Sequence, residues 1–250
     1  MLILTQIKAI LISFILLIFV LLPTCLFASF FNIERRLKIV SPVWGFCSRM
    51  LLRHACSANI RIKEDHRSDN LKKVPSFGLY IANHQSIMDI PLVMNIYQVP
   101  PIMKKEILYI PIFGWLAWAS GAFPVSRGSL KSRKKTLIQA RKRLLEDKIG
   151  VQVYPEGTRS KTGSPKSHEE LKKSLLVFAY NQKIPVIPTS LYGTRGTINQ
   201  FGLIKPNREF GIIVHQEMHP EQFHNQDDFI KAAWGKVIAG HDHLKAQIGN

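Results

Sequence analysis

The chain is short of acid and short of cysteine. Its 250 residues hold 17 Asp and Glu against 34 Lys and Arg, a formal net charge of +17. That imbalance points to an anionic partner: nucleic acid, an acidic membrane surface or a phosphorylated substrate. The three cysteines, Cys25, Cys47 and Cys56, contain no Cys-x-x-Cys pair. They offer no thiolate metal site of that kind and do not look like a disulfide framework, which fits a domain on the reducing side of a membrane. No Gly-x-Ser-x-Gly elbow occurs, so the usual signature of a serine hydrolase is missing. His215 with His219, and His241 with His243, lack a carboxylate or cysteine framework and read as surface histidines, not metal ligands. No recognised nucleic-acid motif or interleaved aromatic–basic stripe accompanies the charge, so no nucleic-acid partner is expected. There are no internal repeats and no low-complexity tail.

Charge of either sign is absent from residues 9–31. As a helix these 23 residues extend about 34 Å, enough to cross the hydrocarbon core of a bilayer. The run is long for a signal peptide and shows no good small-x-small cleavage site, so a retained membrane segment is expected. Pro23 could kink it, leaving open whether it spans or re-enters. Arg35, Arg36 and Lys38 follow it, against Lys8 alone before it. The positive-inside rule then places the rest of the chain on the cytoplasmic side. A helix from Pro42 to Arg53 carries Val43, Phe46, Cys47 and Met50 on one face and Arg49 and Arg53 opposite. It suits either the membrane interface or packing on a domain. Residues 1–57 thus read as an anchor and interfacial helix, and 58–250 as a separate domain.

In that second part short apolar runs alternate with helical periodicity. Strands are expected at 58–63, 77–82, 100–103, 122–125, 151–154, 184–192 and 209–215. Helices are expected at 130–147, 175–180 and 229–248, and a polar loop at 65–73. The helix at 130–147 has Leu137, Ile138, Leu144 and Leu145 as its apolar stripe and a strongly basic remainder, suited to solvent or to anionic lipid. Residues 107–123, rich in aromatics, could be core or the wall of an apolar groove. The alternation implies an α/β sheet with helices on both faces.

Polar residues collect where strands end. After the strand at 77–82 comes Asn83-His84-Gln85-Ser86-Ile87-Met88-Asp89. Residues five apart in one helix point roughly 140° apart, so His84 and Asp89 can meet only if His84 precedes the helix. Ser86 as N-cap with Asp89 three residues on supplies such a start. Asp89 is then either a helix-start carboxylate or the acceptor that orients the His84 imidazole as a general base. Arg127 follows the strand at 122–125, and Glu156-Gly157-Thr158-Arg159 follows the strand at 151–154. Guanidinium groups suit phosphate, and Gly157 allows close approach of backbone or positive φ. Glu156 with Arg159 also reads as an ion pair that shapes the turn.

These segments resemble the ordered motifs of the 1-acylglycerol-3-phosphate acyltransferase family. They are Asn83-His84-Gln85-Ser86-x-x-Asp89, Lys104-Lys105-Glu106, Gly121-Ala122-Phe123-Pro124-Val125-x-Arg127, Tyr154-Pro155-Glu156-Gly157-Thr158-Arg159-Ser160 and Ile184-Pro185-Val186-Ile187-Pro188. The resemblance runs from Phe77 to Tyr192. It implies the glycerolipid acyltransferase fold, a mixed, largely parallel sheet flanked by helices, with an N-terminal membrane-binding helix pair. It implies His84 as base, Asp89 as its orienting partner, and Arg127, Glu156, Gly157, Thr158 and Arg159 at the acceptor phosphate. Lys105 and Pro188 would be structural or line the acyl groove. The donor would be acyl-CoA or acyl carrier protein and the acceptor a lysophospholipid at a membrane phospholipid surface, with no metal and no other cofactor. Lysophosphatidate is the expected acceptor. Glycerol-3-phosphate, another lysophospholipid or an aminolipid is the alternative, and a basic nucleic-acid or membrane-binding protein without catalysis is the remote one. Two departures bear on the substrate: Ser126 stands where the family usually has an acid, and Leu171-Lys172-Lys173-Ser174 stands where it often has Phe-Lys-x-Gly.

Overall fold

The computed structural model describes residues 2–64, 77–97, 99–110, 112–125, 130–199 and 201–249. The loop expected at 65–73 and the Arg127 segment lie outside the described residues.

Five strands form the main sheet: β1 (Asn59–Glu64), β2 (Leu79–Ala82), β5 (Val151–Val153), β6 (Val186–Tyr192) and β7 (Glu209–Val214). Their order is β1-β7-β6-β2-β5. Neighbours are parallel except β6 and β7, where Thr189 faces Val214 and Tyr192 faces Gly211 in antiparallel register. Two short parallel strands, β3 (Ile102–Lys104) and β4 (Phe123–Val125), form a second sheet beside β5. The expected α/β architecture with a largely parallel sheet is the one observed.

Burial on both faces explains why β2 is a continuous apolar run. Side chains alternate across a strand. Leu79 and Ile81 therefore enter one core with Leu144, Leu176 and Trp234. Tyr80 and Ala82 enter the opposite core with Leu52, Leu92, Phe210 and Ile212. The first core is closed by α5 (Leu130–Arg141), α6 (Ser174–Asn181) and α7 (Gln226–Ile248), the second by α3 (Asp89–Ile96) and by Leu52 and Cys56, which follow α2 (Ile33–Met50). Of the stripe expected on α5, Leu137 and Leu145 pack on the core and Leu144 is buried, but Ile138 is 67% exposed. Ala140 takes the inward position.

Residues 2–28 form one helix, α1, widened into a π-helical stretch at Leu16–Leu21 just before Pro23. Proline lacks an amide hydrogen and crowds the preceding turn, which accounts for a local change of winding there. The stretch Ile3–Ala28 has a mean hydropathy of 2.9 and is long and apolar enough to cross a membrane. It does not leave the protein, however. Near its start Gln6 donates from Nε2 to Ile204 O at 2.6 Å and accepts from Ile204 N at 2.9 Å. Near its end Cys25 and Ala28 are buried with Leu116 and Ala119 of α4 (Phe113–Ala119). The opposite face, including Ile7, Ile10, Phe14 and Phe19, stays exposed.

Helix α2 starts earlier than Pro42. Asn32 caps it, its Oδ1 accepting from Arg35 N at 3.0 Å, and Pro42 lies within the helix. Of the face expected to be apolar, Cys47 is buried and Phe46 is exposed. Among the cations after α1, Arg35 and Lys38 face outward, whereas Arg36 is buried with its guanidinium 3.9 Å over the Trp118 ring. Residues 107–123 are core only in part. Leu116, Ala119 and Phe123 are core, and Tyr109, Ile110, Ile112 and Trp118 are exposed.

Candidate active site

β2 ends at Ala82, and a tight turn carries the chain into α3. Asn83 fastens that turn to β6. Its Nδ2 donates to Leu191 O at 2.9 Å and its Oδ1 accepts from Leu191 N at 2.8 Å. The buried side-chain amide thus extends the β2–β6 ladder as a peptide group would.

The turn converges on Asp89, the first residue of α3, which is fully buried. Its Oδ2 accepts from His84 Nδ1 at 2.7 Å, Gln85 N at 2.6 Å and Ser86 N at 2.9 Å. Its Oδ1 accepts from the hydroxyl of Thr194. Four donors, with the amides of the first helical turn, make a buried carboxylate tolerable. Both roles considered for Asp89 are therefore filled together: it ties down the helix start and it holds the imidazole. The cap is not the one expected, because α3 begins at Asp89 itself. Ser86 Oγ accepts from Met88 N at 3.3 Å, so only the backward half of a capping box is formed.

His84 is 18% exposed in its side chain and stacks on the Tyr154 ring at 4.2 Å between centroids. A carboxylate accepts only, so Nδ1 carries the shared hydrogen. Nε2 is left with its lone pair as the basic atom.

The loop after β5 closes on this turn. Ser160 N donates to His84 O at 2.7 Å. Gly157 adopts φ +67, and a Cβ there would lie 2.6 Å from Lys172 Cε. Glu156 does not face outward. It is 1% exposed, and its Oε1 accepts from His84 N at 3.1 Å. Its Oε2 has no hydrogen-bond partner among the described residues. Burial lifts its pKa from 4.5 to about 7, against the lowering effect of the His84 amide and of Lys166. The inward carboxylate braces the His84 backbone. It also forms no ion pair with Arg159, which is exposed on the rim together with Thr158.

Other expected site residues lie apart. Pro188 is buried in the middle of β6 opposite Ile81, and its carbonyl accepts from His215 N at 2.9 Å, a structural place. Lys105 opens a short 3-10 turn after β3, with its ammonium 5.8 Å from the Tyr109 ring. Arg127 is outside the described residues. His215 and His241 are not surface groups. They are 8% and 1% exposed, His215 within 2.8 Å of Ser190 Oγ and His241 Nε2 within 3.2 Å of Gly163 O. No group of three His, Cys, Asp or Glu among the described residues is placed to hold a metal ion.

Thr194 and Tyr154 escaped the sequence reading. Thr194 lies 105 residues from Asp89, in the loop after β6, and no local pattern announces such a contact. Tyr154 had one available signal, its place at the end of β5 beside the Glu-Gly-Thr-Arg loop.

Comparison with known proteins finds relatives of this chain by sequence and by fold. The 1-acyl-sn-glycerol-3-phosphate acyltransferase of Escherichia coli is 31% identical over 149 residues, 58% of this chain and 57% of that protein. The protein of the same name from Saccharomyces cerevisiae is 34% identical over 130 residues, 50% of this chain and 41% of its own. The chain spans about half the length of the curated relatives it matches. The crystal structure of the 1-acyl-sn-glycerophosphate (LPA) acyltransferase PlsC from Thermotoga maritima shares the fold. Its TM-score is 0.77 at 24% identity, covering 98% of this chain and 96% of that one. The Acyltransferase family model matches residues 64–192, more than half of the sequence, and the chain belongs to the Acyltransferase family.

Proposed function

We propose that the protein transfers a fatty acyl group from a thioester donor, acyl-CoA or acyl carrier protein, to the free hydroxyl of 1-acyl-sn-glycerol-3-phosphate, giving phosphatidate. The observation that carries this reading is the 2.7 Å contact of His84 Nδ1 with the buried Asp89 carboxylate, at the turn that Ser160 ties to the exposed Thr158–Arg159 rim. Names of the related proteins support the choice of acceptor. His84 Nε2 takes the proton of the acceptor hydroxyl as its oxygen attacks the thioester carbonyl carbon. The C–S bond then breaks, an ester forms, and the proton passes from His84 to the departing thiolate. A positioned base contributes roughly 10²–10⁴-fold to such a step, and joint binding of donor and acceptor removes much of the entropic barrier. Arg159 offers the acceptor phosphate a two-pronged donor on the rim. No metal or other cofactor enters the chemistry.

The reaction takes place at a membrane surface. Helix α1 lies lengthwise on the protein with one apolar face exposed, the arrangement of a helix set into one leaflet. The cations that follow it, Arg35 and Lys38, support a cytoplasmic side for the catalytic domain by the positive-inside rule. The deciding experiment presents the purified protein with palmitoyl-CoA or palmitoyl carrier protein and a panel of acceptors. Thiol release with phosphatidate formed from lysophosphatidate is expected. Silence across every lyso-acceptor would sink the reading.

A further inference from the structure

We propose that a basic cleft next to the His84–Asp89 pair binds the nucleotide end of the donor, the adenosine 3′,5′-bisphosphate portion of coenzyme A. The proposal rests on the acyl-transfer reading above and gives the donor its own site.

Sheet order supplies the geometry. β2, which carries His84 at its end, lies between β5 and β6. The β5 loop puts Arg159 on one flank. A cleft of about 720 Å³ lies past the end of β6, with Thr162, Gly163 and Ser164 of that same loop in its wall. That volume lies within the range of roughly 300–1,000 Å³ typical of small-molecule sites. Because β7 runs antiparallel to β6 and β1 parallel to β7, the starts of β7 and β1 reach the same edge of the sheet as the end of β6.

The cleft is strongly positive. Arg61, Arg195, Arg208 and Lys245 line it, against the single carboxylate of Glu209. Arg61 already holds Glu209 at 3.0 Å. Among the described residues none of the other three cations is paired with a carboxylate. Two of them are fixed in place, Arg195 by donating from Nη2 to Lys161 O and Arg208 by donating from Nη2 to Arg195 O at 3.1 Å. Each guanidinium is thus held by one arm and keeps its other N–H groups for a ligand. Like charges gathered round a cavity repel, and a polyanion bound between them relieves that repulsion. Arginine forks match phosphate oxygens in geometry as well as charge. Tyr192 adds an aromatic side chain to the wall, the kind of surface on which a base stacks.

Gln85 and Thr194 stand between the cleft and the dyad. Gln85 follows His84, lines the cleft, and donates from Nε2 to Gly163 O at 2.6 Å. Arg195 follows Thr194, whose hydroxyl donates to Asp89. A donor held by its phosphates at Arg195, Arg208 and Lys245 sends its pantetheine arm past Gln85 to His84 Nε2. The acceptor phosphate is taken by Arg159, which does not line the cleft, so each polyanion has its own cations.

Calorimetric titration of the full chain in detergent micelles with adenosine 3′,5′-bisphosphate tests the cleft without requiring turnover. Binding is expected, together with inhibition competitive toward palmitoyl-CoA and not toward lysophosphatidate. Arg195→Ala and Lys245→Ala should each weaken binding roughly tenfold and raise the KM for palmitoyl-CoA to match. Lys245 lies on the exposed side of α7, so its variant serves if Arg195→Ala fails to fold. Absence of bisphosphate binding, inhibition competitive with lysophosphatidate, or variants that raise the KM for an acyl carrier protein donor alone would each overturn the proposal. Turnover without bisphosphate binding would refute the cleft and keep the acyl-transfer reading. Bisphosphate binding by a protein inert toward every acceptor would do the opposite.

Discussion

Replacing Glu156 by glutamine isolates the cost of holding a carboxylate under the His84–Asp89 turn. Burial raises the Glu156 pKa from 4.5 to about 7. In the unfolded chain the group ionises near its ordinary value, while the folded protein keeps the proton up to about neutrality. Between those two values the folded state binds more protons, so stability falls as pH rises. The favourable contribution is complete below the unfolded value and gone above the folded one. At about 1.4 kcal/mol per unit, the shift amounts to about 3 kcal/mol. Glutamine does not titrate. Its carbonyl keeps the bond to His84 N, and its amide replaces the partnerless Oε2 at a constant cost of roughly 1–3 kcal/mol. That constant cancels when two pH values are compared. Urea unfolding of both full chains in the same micelles should therefore show Glu156→Gln gaining about 3 kcal/mol on the parent between about pH 4.5 and about pH 8.5. At roughly 2–4 °C per kcal/mol for a chain of this size, the relative Tm should rise by about 6–12 °C over the same interval. Parallel pH profiles would refute the assignment of a buried, proton-holding Glu156.

His84→Ala should lower kcat roughly 10²–10⁴-fold while circular dichroism of the variant stays that of the parent, and retained turnover would remove His84 from the role of base. Arg159→Ala should raise the KM for the acceptor by about tenfold and leave the donor KM nearly unchanged, and the reverse pattern would move Arg159 to the donor side. Gly157→Ala must place a Cβ at φ +67 and against the Lys172 side chain, so a loss of about 1–2 kcal/mol in urea unfolding is expected, and full stability would show that the loop relaxes freely.

Much of this protein is written in local pattern. The apolar run of β2, the helical periodicity of α5 and α7, the charge-free stretch of α1 and the polar residues at strand ends all follow from which side chains must leave water. Even the pairing of His84 with Asp89 could be posed from spacing alone, because five residues cannot share a helix face. The sequence could not decide which reading of Asp89 was right, since that depends on where the Gln85 and Ser86 amides and the Thr194 hydroxyl come to rest. Glu156, Arg36, His215 and His241 are polar residues that composition assigns to solvent or ligand, and each is buried by neighbours distant in sequence. Helix α1 has the hydropathy of a span, but Gln6 on Ile204 and Cys25 on α4 keep it alongside the protein. Periodicity records only whether a side chain avoids water. Sheet order decides which segments meet, and that order, with β2 between β5 and β6, brings the His–Asp turn beside the Arg159 loop and the basic cleft that this loop helps to line.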